Sequence, residues 1–131
     1  MSATRTAVAT RTFPGAAASV REASRWVVSC LACCPRAEDA ATCVSELAGN
    51  AVLHSASGAA DGTYTVTVRL SATSVSLTVV DQGPVAVPGQ VRRPAEESGR
   101  GMGIVCALAD AYERRGTTAW CRLDWDGGSE R

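Results

Sequence analysis

A change of period in the middle of the chain most constrains what it can fold into. Val20, Ala23, Val27 and Leu31 recur at three and four residues, and Cys43, Val44, Leu47, Ala48 and Ala51 form a second stripe of the same kind. Such stripes lie on one side of an amphipathic helix and must be buried against something. The period then drops to two. Tyr64, Val66, Val68 and Leu70 alternate with Thr63, Thr65, Thr67 and Arg69, and Val75, Leu77 and Val79 alternate with Ser74, Ser76 and Thr78. This is the pattern of an antiparallel hairpin with one buried and one polar face. One-sided helices and a one-sided hairpin satisfy each other when the helices cover one face of the sheet.

The flanking segments extend that frame. Thr6 to Phe13 reads as a first strand, closed by Pro14-Gly15, which cannot continue a ladder. Ser19 and Glu22 have the spacing of a capping box and are expected to open the first helix. Pro35 stops it. Glu38 and Asp39 fall in the first turn of the second helix, where the dipole favours anions, and Ser57-Gly58 breaks that helix after Ser55. Pro84 to Glu97 has no usable periodicity, and a loop of that length in a compact domain is either disordered or functional. It leads through a glycine cluster into a helix with the stripe Met102, Val105, Ala109 and Tyr112. Gly116 interrupts a last hairpin, whose second strand buries Ala119, Cys121, Leu123 and Trp125, and Asp126 to Arg131 reads as a frayed tail. The expected fold class is α+β: one domain over residues 1–131, a two-layer sandwich of a mostly antiparallel sheet with about three helices on one face.

Charge and cysteine usage narrow the function. Thirteen basic and thirteen acidic residues cancel, so there is no footprint for nucleic acid or an acidic membrane. Every basic residue is arginine. Without a lysine, neither a P-loop nor a protein-kinase phosphate site can be built. Met1 to Phe13 is polar and has no apolar h-region, and the longest apolar run, Trp26 to Cys34, is too short for a bilayer. The expected location is the cytoplasm. The six cysteines are therefore expected to be reduced core residues; no second pair at ligand spacing follows the Cys30, Cys33, Cys34 and Cys43 group.

Three places carry candidate chemistry. Glu46, Asn50 and His54 recur every four residues along the margin of the second helix's apolar stripe. A carboxylate, a carboxamide and an imidazole in a row suit an ion or polar ligand, and a solvated helix face carries the same pattern. Asp81 and Gly83 follow the hairpin's second strand, where an ordinary turn would also place them. Gly99, Gly101 and Gly103 sit where a loop becomes a helix, so the backbone can approach an anion at the helix N-terminus. A nucleotide site needs an acceptor for the adenine amine, donors for the phosphates and a hard oxygen for Mg²⁺. Asp81, the turn from Gly99 to Gly103 and Asn50 would supply these in that order, and Glu46 would orient a water or accept a hydroxyl proton.

These segments, Glu46 to His54, Asp81-Gln82-Gly83 and Gly99-Arg100-Gly101-Met102-Gly103-Ile104-Val105, resemble the three nucleotide-binding boxes of the GHKL (Bergerat-fold) ATPases, in the right order. Phe13-Pro14-Gly15, Leu108-Ala109-Asp110 and Thr118-Ala119-Trp120 look like its small single-domain branch, the anti-sigma factor serine/threonine kinases and their actinobacterial relatives. The resemblance implies ATP with Mg²⁺ as cofactors, Asn50 as the metal ligand, Glu46 as the catalytic base and Asp81 on the adenine amine. Gly83 would let the base approach, and Gly99, Arg100, Gly101, Met102 and Gly103 would wrap the phosphates, with His54 beside them. It implies a kinase acting on an anti-sigma-antagonist protein and holding a sigma factor, with a homodimer among its assemblies; the alternative is a non-catalytic ATP-binding module that regulates by contact. Two positions depart from the family pattern and bear on nucleotide affinity: Val85, where a further glycine is common, and Leu53, where a basic residue is common.

Overall fold

The computed structural model of the chain describes residues 6–55, 59, 61–83 and 99–125. Eight elements follow one another: β1 (Ala7–Pro14), α1 (Ala17–Cys30), α2 (Ala37–His54), β2 (Thr63–Leu70), β3 (Ser74–Val80), α3 (Gly99–Leu108), β4 (Ala111–Arg115) and β5 (Thr118–Asp124). The strands form one sheet in the order β1-β2-β3-β5-β4, and every pairing is antiparallel. The expected architecture is α+β with helices on one face, and the structure has it; the sheet is antiparallel throughout rather than mostly so.

Register explains the one-sidedness. Val66 pairs with Val79, Val68 with Leu77 and Leu70 with Val75; across the next seam Val75, Leu77 and Val79 pair with Leu123, Cys121 and Ala119. Because side chains alternate along a strand, these rows share one face. That face meets Ala23, Val27 and Leu31 from α1 and its end, and Ala40, Val44, Leu47, Ala48 and Ala51 from α2, in one hydrophobic cluster. α2 is the central helix, packed against α1 and α3 as well as β3. A side chain such as Leu47, 2% exposed, gains roughly 1.5–3 kcal/mol from leaving water.

Two helix boundaries differ from the sequence reading. Ser19 does not cap α1: the helix starts at Ala17, with Ala16 at the N-cap and no side-chain cap bond. The serine is 4% exposed; its hydroxyl donates to the Pro14 carbonyl at 2.6 Å and is 2.7 Å from the Tyr64 hydroxyl. Its partners are thus the end of β1, the Ala16 carbonyl at 2.9 Å and strand β2, and Glu22 instead reaches Arg11 on β1 at 3.1 Å. Second, α3 ends at Leu108, so Ala109 and Tyr112 do not continue its stripe. Tyr112 pairs with Cys121 in the β4–β5 ladder, closed by a turn in which Gly116 takes a φ of +54°. A short apolar pattern fits either period, and the hairpin partner decided it.

The Ser19–Tyr64 contact lies beside Phe13, whose ring stacks on Tyr64 at 5.7 Å and meets Trp26 edge-on at 5.8 Å. Burial is the main influence raising the Tyr64 pKa, so the phenol stays a neutral donor. Tyr64→Phe keeps the stacking and removes one buried hydrogen bond. Thermal unfolding should show a loss of about 1 kcal/mol. No loss would mean that the ring stacking alone holds this corner.

The burial of the cysteines is partly as expected. All six are free. Cys43 on α2 and Cys121 on β5 are fully buried; the hydrogen bond from Cys43 and then burial push the Cys121 thiol up, which keeps it protonated. Cys30 and Cys34 are half-buried, whereas Cys33 and Cys106 are exposed and so are not core residues. Cys33 occupies the turn between α1 and α2 with a φ of +69°, and Cys106 lies on the outer side of α3. Among the described residues no group of three His, Cys, Asp or Glu could hold a metal, and no helix is long and apolar enough to cross a membrane.

Candidate functional site

α2 carries the first three candidates along one margin. Leu47 and Ala51 bury the helix against the sheet, and Glu46 and Asn50, rotated from them, are half-buried, while His54 at the last turn is exposed. Among the described residues none hydrogen-bonds or ion-pairs with the Glu46 carboxylate. Asn50 and His54 both have interaction partners. Gly49, beside Asn50, would meet nothing within 4 Å if it carried a Cβ.

Asp81 follows the last residue of β3, next to the β4–β5 turn. Its backbone N–H donates to the Thr117 carbonyl at 2.8 Å. Its side chain is only 5% exposed. Oδ1 accepts the Gly83 N–H at 2.7 Å, and Oδ2 accepts from Arg114 Nη2 at 3.1 Å. Gly83 itself holds a φ of +81°, a region L side chains rarely adopt, and a Cβ there would touch Thr117 Cγ2 at 3.5 Å. The constraint on this position is therefore backbone conformation rather than space. Next to it, Gln82 turns back to accept the Thr63 N–H at 2.9 Å.

The glycine cluster forms the first turn of α3: the helix opens at Gly99 and includes Arg100, Gly101, Met102 and Gly103. Gly103 is exposed, and a Cβ on it would meet nothing within 4 Å. The first N–H groups of this ten-residue helix have no intrahelical acceptor, which is the usual anion-binding feature of a helix start. α3 packs against α2, so the phosphate candidates and the Glu46–Asn50 margin belong to neighbouring helices. The loop from Pro84 to Glu97, Val85 within it, and the Ser57-Gly58 break lie outside the described residues.

Sequence reasoning missed Arg114 and Thr117. Both come to Asp81 from the β4–β5 hairpin, more than thirty residues along the chain. A signal for Arg114 existed. It shares parity with Tyr112 on β4, and their β5 partners, Cys121 and Ala119, are buried, so an arginine was pointed at the helix side of the sheet.

The model of the histidine kinase-like ATPase domain matches residues 13–125, and the chain belongs to that family. A comparison with curated proteins finds no match. Membership implies ATP as ligand, generally with Mg²⁺. The residues present fit those groups. A buried carboxylate with spare acceptor capacity suits an exocyclic amine, the open backbone at Gly103 suits phosphate oxygens, and the Asn50 amide suits Mg²⁺ that takes its other ligands from phosphate and water.

Asp81→Asn would turn an acceptor into a donor facing Arg114 and, in the expected site, the base amine. Affinity for ATP and ADP should fall alike, by roughly 1–3 kcal/mol for an unpaired buried polar group. Calorimetric titration checks this; wild-type affinity in the variant would remove Asp81 from the site.

Proposed function

We propose that this chain is an ATP-binding regulator of the anti-sigma factor type, a serine/threonine kinase for an anti-sigma-antagonist protein that also holds a sigma factor by contact. The observation that carries the reading is Glu46. It is a half-buried carboxylate with no described hydrogen-bond or salt-bridge partner, one helical turn from Asn50, on a helix packed against the glycine-rich start of α3. A pure nucleotide binder has no use for an uncommitted acceptor there.

The chemistry assigned to the residues is simple. The partner's hydroxyl oxygen bonds to the γ-phosphorus, the bond to the ADP oxygen breaks, and the hydroxyl proton passes to the Glu46 carboxylate. Mg²⁺, held by Asn50, would neutralise phosphate charge. Asp81 selects the base, and the turn from Gly99 to Gly103 supplies backbone N–H groups to the phosphates. Incubating the protein with labelled ATP and candidate antagonist proteins from the same genome tests the proposal: label should appear on a serine or threonine of one of them.

One observation favours the alternative, a module that holds ATP and regulates by contact alone. Leu53, one residue before His54, is 75% exposed. An apolar side chain there serves a protein contact better than a phosphate. Measurable ATP binding without label transfer to any candidate would decide for the module.

A further inference from the structure

Asp81 presents a difficulty of its own. A carboxylate whose side chain is 5% exposed has lost most of its hydrating water, so its oxygens need protein donors or a ligand in its place. A carboxylate without a fixed partner also has no fixed orientation. Both problems have the same answer in the structure. Gly83 N–H fixes Oδ1 at 2.7 Å, and the Arg114 guanidinium fixes Oδ2 at 3.1 Å. Each carboxylate oxygen has two lone-pair directions, and among the described residues one on each is not taken.

Arg114 is placed for this role by its strand. It faces the helix side of the sheet on β4, with its side chain 29% exposed. The half-buried Tyr112 lies two residues earlier on the same face of the strand. Arg114, Asp81 and the Gly83 N–H form one chain of hydrogen bonds. Arginine suits the position because its planar guanidinium presents donors in fixed directions, one of which meets Oδ2.

We propose that Arg114 is a positioning residue for base recognition: it holds Asp81 as an oriented carboxylate acceptor for the exocyclic amine of the nucleotide base. This rests on the reading of Asp81 as the base contact. Two other roles for Arg114 make different predictions. As a latch competing with the base for Oδ2, it would weaken binding. As an inward charge on an edge strand, it would only discourage pairing with other sheets.

The test uses the full chain and isothermal titration with two Mg²⁺ complexes, ATP and purine riboside triphosphate, which lacks the 6-amino group. Arg114→Met should lower ATP affinity by about tenfold, the weight of a hydrogen bond to a charged group, and purine riboside triphosphate affinity by much less. Arg114→Lys, which keeps the charge and loses the fork, should recover part of the ATP loss. Combining Arg114→Met with Asp81→Asn should cost no more ATP affinity than Asp81→Asn alone, since one acts through the other. Circular dichroism confirms folding; should Arg114→Met not fold, the lysine variant must still shift the ratio between the two nucleotides in the same direction. Equal losses for both nucleotides, unchanged ATP affinity or tighter ATP binding would each overturn the proposal. Wild-type protein that binds both nucleotides equally, or neither, would instead remove the underlying reading of Asp81 as base contact, and the role of Arg114 with it.

Discussion

Glu46→Gln is expected to leave ATP binding intact and to reduce transfer to a partner hydroxyl by about 10²–10⁴-fold, the usual weight of general base catalysis. Glutamine keeps the shape of the side chain and removes the proton acceptor. The half-buried position on α2 should tolerate the change, because none of the described residues depends on the carboxylate for a hydrogen bond or salt bridge. Most of the catalysis in phosphoryl transfer comes from positioning and charge neutralisation, so binding should not follow the loss of rate. The comparison is label transfer by wild type and variant at matched nucleotide saturation. Equal labelling by both proteins would rule out Glu46 as the base and leave the hydroxyl to be deprotonated elsewhere.

Arg36→Ala should be the most destabilising single change at the surface of the fold. The guanidinium lies at the start of α2 and ties three distant places together. It bonds the Asp39 carboxylate at 3.1 Å and the Asp110 carboxylate at 2.9 Å, and donates to the carbonyls of Leu108 at 2.6 Å and Asp124 at 3.1 Å. The Leu108 carbonyl is the last of α3, so Arg36 also closes that helix. Truncation leaves two carbonyls without this donor and unpins α3 and β5 from α2. With Arg36 only 22% exposed, a loss of about 2–4 kcal/mol in denaturant unfolding is expected. A loss below about 0.5 kcal/mol, the range of ordinary surface substitutions, would show that water replaces these bonds without cost.

The same cluster sets an acid limb. The backbone N–H of Asp124 first, and then Arg36, hold the Asp110 carboxyl below its ordinary range. A depressed carboxylate pKa contributes stability above the unfolded value of about 4, and that contribution is lost as pH falls through the lower folded value. Asp110→Asn should therefore flatten the dependence of stability on pH below about 4 and, above it, lower stability by an amount that does not vary with pH. An unchanged acid limb would assign it to another carboxylate.

Much of the candidate site was legible because its parts are local. Glu46 and Asn50 share a margin through helical spacing, and Leu47 and Ala51 declare which side of α2 is buried. Asp81 and Gly83 follow an alternating strand, and three glycines within five residues mark a helix start whatever the fold around it. Arg114 was not legible in the same way. An arginine in Tyr112-Glu113-Arg114-Arg115 reads as surface charge until the neighbour of that strand is known.

By itself, the sequence determined the period of each long segment, and with it α1, α2, the β2–β3 hairpin, the buried rows and the order of the family's nucleotide-binding segments. These are properties that many residues repeat, so no single competing contact can overturn them. Only the tertiary structure decided where short or polar features went. Ser19 has the spacing of a cap, but Pro14 and Tyr64 take its hydroxyl. Tyr112 fits a helical stripe, but the ladder with β5 makes it a strand residue. Arg36 and Arg114 find carboxylates at sequence separations of 74 and 33 residues. A side chain's pairing is a question of which partner is brought within about 3 Å, and no local pattern carries that distance.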